Sequence, residues 1–269
     1  DTDDQTLSIS GDTLYISEGN NTVLSPYKDN TDTQDLSFNS STKVLSLTDG
    51  GTVDLSGFSA TSGASSLNGL TDVLVETNSF YIGNDPSSTT STAERNVAVG
   101  VSALDAISTG DNNVAVGYDA LTANTYGSNN TAFGTSALAS TTTADNNTAS
   151  GASALYSNGR GEANTASGAS ALYSNTYGDY NTASGASALY YNTTGNYNTA
   201  SGYQALRSNT EGDYNTASGT NALYSNTTGD YNTASGSSAL TKNTTGGSNT
   251  ASGHEALYSN TEGDDNTAS

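Results

Sequence analysis

The chain has no cysteine, tryptophan or methionine, so no disulfide holds it together. Only six of its 269 residues are Lys or Arg, against 27 Asp and Glu, and the formal net charge is −21. The six cations, Lys28, Lys43, Arg95, Arg160, Arg207 and Lys242, are scattered rather than clustered, which sets nucleic acid aside as a partner. An acidic chain of this kind is also repelled by anionic lipid. No apolar run approaches the length of a membrane span, so no membrane insertion is expected. The opening residues do not read as a signal peptide, in keeping with an internal or processed piece. Hydrophobic residues make up 32% of the chain, mostly Ala, Leu, Val and Tyr, too few large side chains for one thick globular core. Low hydrophobicity with high charge ordinarily means disorder.

A strict internal repeat argues for order instead, because stacked repeats share a thin continuous core. Steps of seventeen residues from Asn96 land on Asn every time, through Asn113, Asn130, Asn147, Asn164, Asn181, Asn198, Asn215, Asn232 and Asn249 to Asn266. Ala holds the third position from Ala98 to Ala268, and Gly the fifth from Gly100 to Gly253. Ala-Leu fills the eighth and ninth from Ala103-Leu104 to Ala256-Leu257. Gly returns at the fifteenth position in nine of ten copies, with Ala144 the exception. One step back, Ser79 to Gly83 reads as a degenerate entry coil.

Seventeen residues suit one turn of a narrow β-solenoid or β-roll, with two short strands and two turns. Helix is disfavoured by two Gly per unit and by abundant Asn, Thr and Ser. The expected strands are Thr-Ala-Ser with its neighbours, then Ala-Leu-Tyr-Ser. The fold class is therefore all-β, with coils beginning at 79, 96, 113, 130, 147, 164, 181, 198, 215, 232 and 249 and a partial coil at 266. In such a stack each position becomes a ladder of identical side chains. In the coil 181–197 the expected ladder members are Asn181, Ala183, Gly185, Ala188, Leu189, Tyr190, Gly195 and Tyr197. Asn at the first and twelfth positions is expected to form amide ladders. Tyr at the tenth (Tyr156, Tyr173, Tyr190, Tyr224, Tyr258) and at the seventeenth (Tyr180, Tyr197, Tyr214, Tyr231) is expected to stack. The second and fourth positions drift from Val97/Val99 and Val114/Val116, through Thr131/Phe133, to Thr148/Ser150 and onward as Thr and Ser. That face either turns to solvent or exchanges a dry contact for a hydrogen-bonded one. An interior of Ala, Ala and Leu contributes little against the entropy of ordering seventeen residues. Several chains side by side, three above all, are therefore expected to share the core as a parallel homotrimer.

Residues 1–56 differ. Residues 3–25 are echoed by 32–56, each as three short alternating strands of a β-meander, with turns at Gly11-Asp12, Glu18-Gly19-Asn20 and Asp49-Gly50-Gly51. Residues 57–78 read as a Gly/Ser-rich connector that ends in an apolar strand, Val73 to Val75, before the solenoid at 79–269.

The unit N-T-A-x-G…A-L-x-x-N-T-x-G resembles repeats in tail-fibre-like proteins of tailed phages, and residues 81–125 look especially like the marine cyanophage versions. The segment TLSISGDTLYIS is similar to strand-rich stalks of such fibres, and N-V-A-V-G resembles the head repeats of trimeric autotransporter adhesins. The likeness covers essentially the whole chain. It implies a fibrous, trimeric, surface-exposed protein, extracellular or on a virion. The adhesin head unit is shorter than seventeen residues, so its handedness is not carried over.

No catalytic constellation is visible. His254 is the only histidine, where other coils hold Ala152, Ala169 or Tyr203, and reads as a tolerated surface residue. Ser and Thr without a base beside them are structural. Acidic residues recur at the sixteenth position: Asp111, Asp145, Glu162, Asp179, Asp213, Asp230 and Asp264. The plain reading is a solvated acidic turn that keeps the molecule soluble. The sharper one is weak Ca²⁺ binding between coils through Asp179, Asp213 and Asp230. The sequons at Asn192, Asn226 and Asn243 read as turn chemistry, with glycosylation as the alternative. An exposed tyrosine row also suits stacking on sugar rings.

These features together predict a non-enzymatic fibre segment, a shaft that spaces or presents a tip for a host cell, a surface or a carbohydrate. The alternative within that class is a bacterial trimeric adhesin or extracellular filament. A rival from another class is an ice-binding solenoid using a Thr-x-Ser ladder, against which stand the Ser in place of a regular Thr-x-Thr and the early Val and Phe coils.

Overall fold

The structure is a computed structural model. It describes residues 78–269 except 84, 85, 87 and 88, together with the strands at 7–10, 13–16, 36–39, 44–47, 52–54 and 73–76. The chain divides into two compact units, Asp1–Ser65 and Ser66–Ser269.

In the first unit β1 (Leu7–Ser10) pairs antiparallel with β2 (Thr13–Ile16). Strand β3 (Leu36–Asn39) pairs with β4 (Val44–Leu47), and β4 with β5 (Thr52–Asp54), again antiparallel. The third strand expected near Val23 lies outside the described residues. The second unit begins inside the segment read as a connector. Its first strand, β6 (Val73–Glu76), folds back antiparallel on β7 (Ser79–Ile82) and so belongs to the sheet that follows.

From β7 onward the chain is a β-solenoid. Twelve strands, β7 and then one per coil from β8 (Val97–Val99) to β18 (Thr267–Ala268), lie parallel in sequence order. They pair in register at the seventeen-residue step, with Ala166 opposite Ala183 and Ala183 opposite Ala200. Each strand is only about three residues long because Gly follows at the fifth position with φ near +140°, as at Gly168 (+141°) and Gly185 (+136°), and turns the chain. A Cβ on Gly185 would lie 2.5 Å from the carbonyl oxygen of Gly202 in the next coil, so neither the angle nor the space admits a side chain.

The second strand expected over Ala-Leu-Tyr-Ser is absent; that side of the coil is a chain of turns. The cause is a left-handed residue at the seventh and again at the ninth position, Ser187 (φ 57°) and Leu189 (φ 51°) in the coil 181–197. A leucine there costs about 1–2 kcal/mol of backbone strain. Two gains offset it. The Leu side chain is fully buried, as in every coil from Leu104 to Leu240, which stabilises by about 1.5–3 kcal/mol each. The alternating backbone also keeps its polar groups aimed along the stack. The N–H of Leu189 donates to Ala205 O (3.0 Å), that of Tyr191 to Arg207 O (3.0 Å), and that of Ser187 reaches back to Ala169 O (2.9 Å). The turns thus carry coil-to-coil hydrogen bonds as the strand does.

The core is one column. The strand Ala, the Ala-Leu pair and the asparagines of the first and twelfth positions all face inward and are buried, so each coil closes its interior within one chain. That interior holds more than the three apolar residues the sequence reading counted.

Candidate functional site

The interior asparagines are fully committed. Asn181 Nδ2 donates to the carbonyl of Gly195 (2.8 Å), while its Oδ1 accepts from the backbone N–H of Asn198 (3.0 Å). Asn192 Nδ2 donates to Asn175 Oδ1 (2.8 Å) and to the Gly195 carbonyl (2.9 Å), and its Oδ1 accepts from Asn209 Nδ2 (2.9 Å). Two amide ladders therefore run up the core. The second runs without a break from Asn158 to Asn260, after coils that hold Ile107 and Thr141 at that position, and a buried amide left unpaired within it costs about 1–3 kcal/mol. The sequon asparagines Asn192, Asn226 and Asn243 belong to the second ladder and are buried, with Nδ2 already donating twice in each. The folded chain offers no amide nitrogen there for a glycan.

The acidic residues of the sixteenth position do line one edge, but as hydrogen-bond acceptors. Asp179 Oδ1 takes the backbone N–H of Glu162 (2.7 Å), Asp213 Oδ1 that of Asn196 (2.6 Å) and Asp230 Oδ1 that of Asp213 (2.7 Å). At two of the three non-acidic positions the same bond persists, from Asp111 N–H to Ser128 Oγ (3.0 Å) and from Asp179 N–H to Asn196 Oδ1 (2.8 Å), while Gly247 has no side chain to accept it. The position asks for a short acceptor, and charge is secondary. Asp179 and Asp213 are separated by the coil carrying Asn196. Among the described residues no group of three or more acidic or histidine side chains is placed to hold a metal. His254 is exposed. Also among the described residues, no helix is long and apolar enough to cross a membrane.

The tyrosines form two columns. At the seventeenth position Tyr180, Tyr197, Tyr214 and Tyr231 stack at 4.9, 4.9 and 5.1 Å between centroids, within 4° of parallel. At the tenth, Tyr156, Tyr173 and Tyr190 stack at 5.1 and 5.0 Å. Arg207 then takes the ring's place. Its Cζ lies 5.4 Å from the Tyr190 centroid, 4.9 Å from Tyr191 and 5.7 Å from Tyr224, and Nη1 donates to the Tyr224 hydroxyl (3.3 Å). A planar guanidinium can continue an aromatic stack, which suits an Arg at a tyrosine position. A sugar ring needs an open aromatic face. Within these columns the faces meet one another, and solvent reaches mainly edges. The Tyr197 hydroxyl is held above its ordinary pKa of 10.0, first by partial loss of solvent, then by Tyr180, Tyr214 and Asp179 nearby.

No protein-family model, curated protein or solved structure matches the chain. The site must be read from its own geometry.

The remaining surface is the outer face of the parallel sheet, formed by the second and fourth positions. It points outward in every coil from β8 on, including those with Val97, Val114 and Phe133, the last 59% exposed. The drift from Val to Thr and Ser thus changes the chemistry of a face that is outward throughout. Among the described residues these hydroxyls have no hydrogen-bond partner within the chain, unlike the threonines of the thirteenth position, where Thr193 Oγ1 donates to Thr210 O (2.9 Å).

Proposed function

We propose that the chain is a structural shaft, a segment of an extracellular or virion-surface fibre that spaces or presents a binding tip. One observation supports this above the others. Every invariant position of the repeat is consumed by coil-to-coil packing or hydrogen bonding, in a stack extended along one axis. At a spacing of about 4.8 Å per strand, the twelve parallel strands make a rod of roughly 50 Å. Such a stack supplies length and stiffness. The repeats' resemblance to phage tail-fibre and trimeric adhesin sequences points the same way, with a bacterial adhesin or filament as the second member of this class.

Three chains side by side are part of the proposal. The exposed apolar rungs of the first coils, Val97, Val101, Val114, Tyr118 and Phe133, supply surface for association. Light scattering combined with gels of unboiled and boiled samples tests it. A native mass of three chains that falls to one on boiling is expected. A monomer at all concentrations removes the trimer.

A further inference from the structure

We infer that the hydroxyl rungs of the outer sheet face, Thr148/Ser150 through Thr250/Ser252, form an ice-binding surface. This goes beyond the shaft reading, and it requires that any association through the apolar rungs of the first coils leave the hydroxyl rungs of the same face uncovered. Seven consecutive strands with the sequence Thr-Ala-Ser stand in register, Ala inward and both hydroxyl residues outward and exposed. The array repeats at about 4.8 Å from coil to coil and about 6.6 Å from Thr to Ser along each strand. Those two repeats are comparable to the oxygen spacings on faces of ice.

Three further observations choose frozen water over other occupants. First, none of these hydroxyls bonds to another group of the chain, whereas threonines at the thirteenth position bond to the next coil, Thr210 Oγ1 to Thr227 O (3.2 Å) and Thr227 Oγ1 to Thr244 O (3.0 Å). The outward set keeps its full hydrogen-bonding capacity for water. Second, in a chain of net charge −21, no residue at these second and fourth positions is charged. A charge on the face would have to shed its own hydration shell before meeting a lattice. Third, the threonine methyls give the face an apolar component between hydroxyls, so water over it is ordered without being held tightly to single groups. A protein partner is less well served, since each of these hydroxyls would need a matching group once buried. The apolar early rungs bound the surface at one end.

The test is thermal hysteresis, the gap between melting and freezing points of a seed crystal, on the full chain at millimolar concentration. Light scattering is done on the same samples. Two variants are compared with the wild type: Thr199→Lys with Thr216→Lys on the strip, and Thr194→Lys with Thr228→Lys on the exposed turn of the fourteenth position. Both add the same charge, and melting by circular dichroism checks that both remain folded. Hysteresis with faceted crystals in the wild type, kept by the turn variant and lost by the strip variant, is expected. No hysteresis in the wild type overturns the proposal, as does equal activity in the two variants. A mass of three chains without hysteresis likewise overturns this proposal and leaves the shaft standing.

Discussion

At the scale of single residues, the twelfth and fifteenth positions constrain each other. Asn192 Nδ2 donates to the Gly195 carbonyl, and a Cβ on Gly195 would sit 2.6 Å from Asn192 Oδ1 and 2.5 Å from Gly212 O. In the coil beginning at Asn130 both residues change together, Thr141 for Asn and Ala144 for Gly. The shorter Thr141 turns its hydroxyl to the carbonyl of Asn158 (2.9 Å), so no Asn Oδ1 stands at the twelfth position where the alanine methyl would meet it. Gly195→Ala alone is expected to lower stability by about 1–3 kcal/mol through overpacking. Adding Asn192→Thr is expected to recover part of that loss, a favourable coupling of about 0.5–3 kcal/mol in urea denaturation. Strictly additive losses would contradict this account of Ala144. The paired change is visible in the sequence, but its meaning needs the distance between the two side chains.

At the scale of elements, the tyrosine column sets a pH limit. The folded pKa of Tyr197 lies above its ordinary value, so the neutral phenol is the form the stack favours. Its contribution to stability is complete below about pH 10 and is lost as pH rises through the folded value. Melting temperature followed across the alkaline range should fall there, and Tyr197→Phe should fall less. Identical slopes for the two proteins would remove the column from the explanation. How much of this element structure the sequence revealed depends on the residue type. Thr-Ala-Ser alternates in and out over a period of two, so its strand was legible. Ala-Leu-Tyr-Ser has the same look, yet Leu189 and its equivalents are left-handed, a state that leucine reaches only when burial and coil-to-coil bonds outweigh the strain. No local pattern carries that information. The same holds at the sixteenth position. A row of like charges was legible there, whereas the bond each aspartate accepts from the preceding coil was not.

At the scale of the whole molecule, the seventeen-residue step is the unit of stability, because each coil bonds only to the coils before and after it. The most direct test removes one coil. Deleting residues 181–197 joins Tyr180 to Asn198 and keeps every ladder in register, since the residues brought together are those that a native coil already joins. Deleting 181–196 leaves one residue too many and moves Ala and Leu out of the core column on one side of the junction. Thermal melting of the two variants decides the matter. The account predicts one cooperative transition near the wild-type temperature for the whole-coil deletion, and a large loss of stability for the deletion that is one residue shorter. If the two variants melt alike, the stacked ladders are not what holds the chain together.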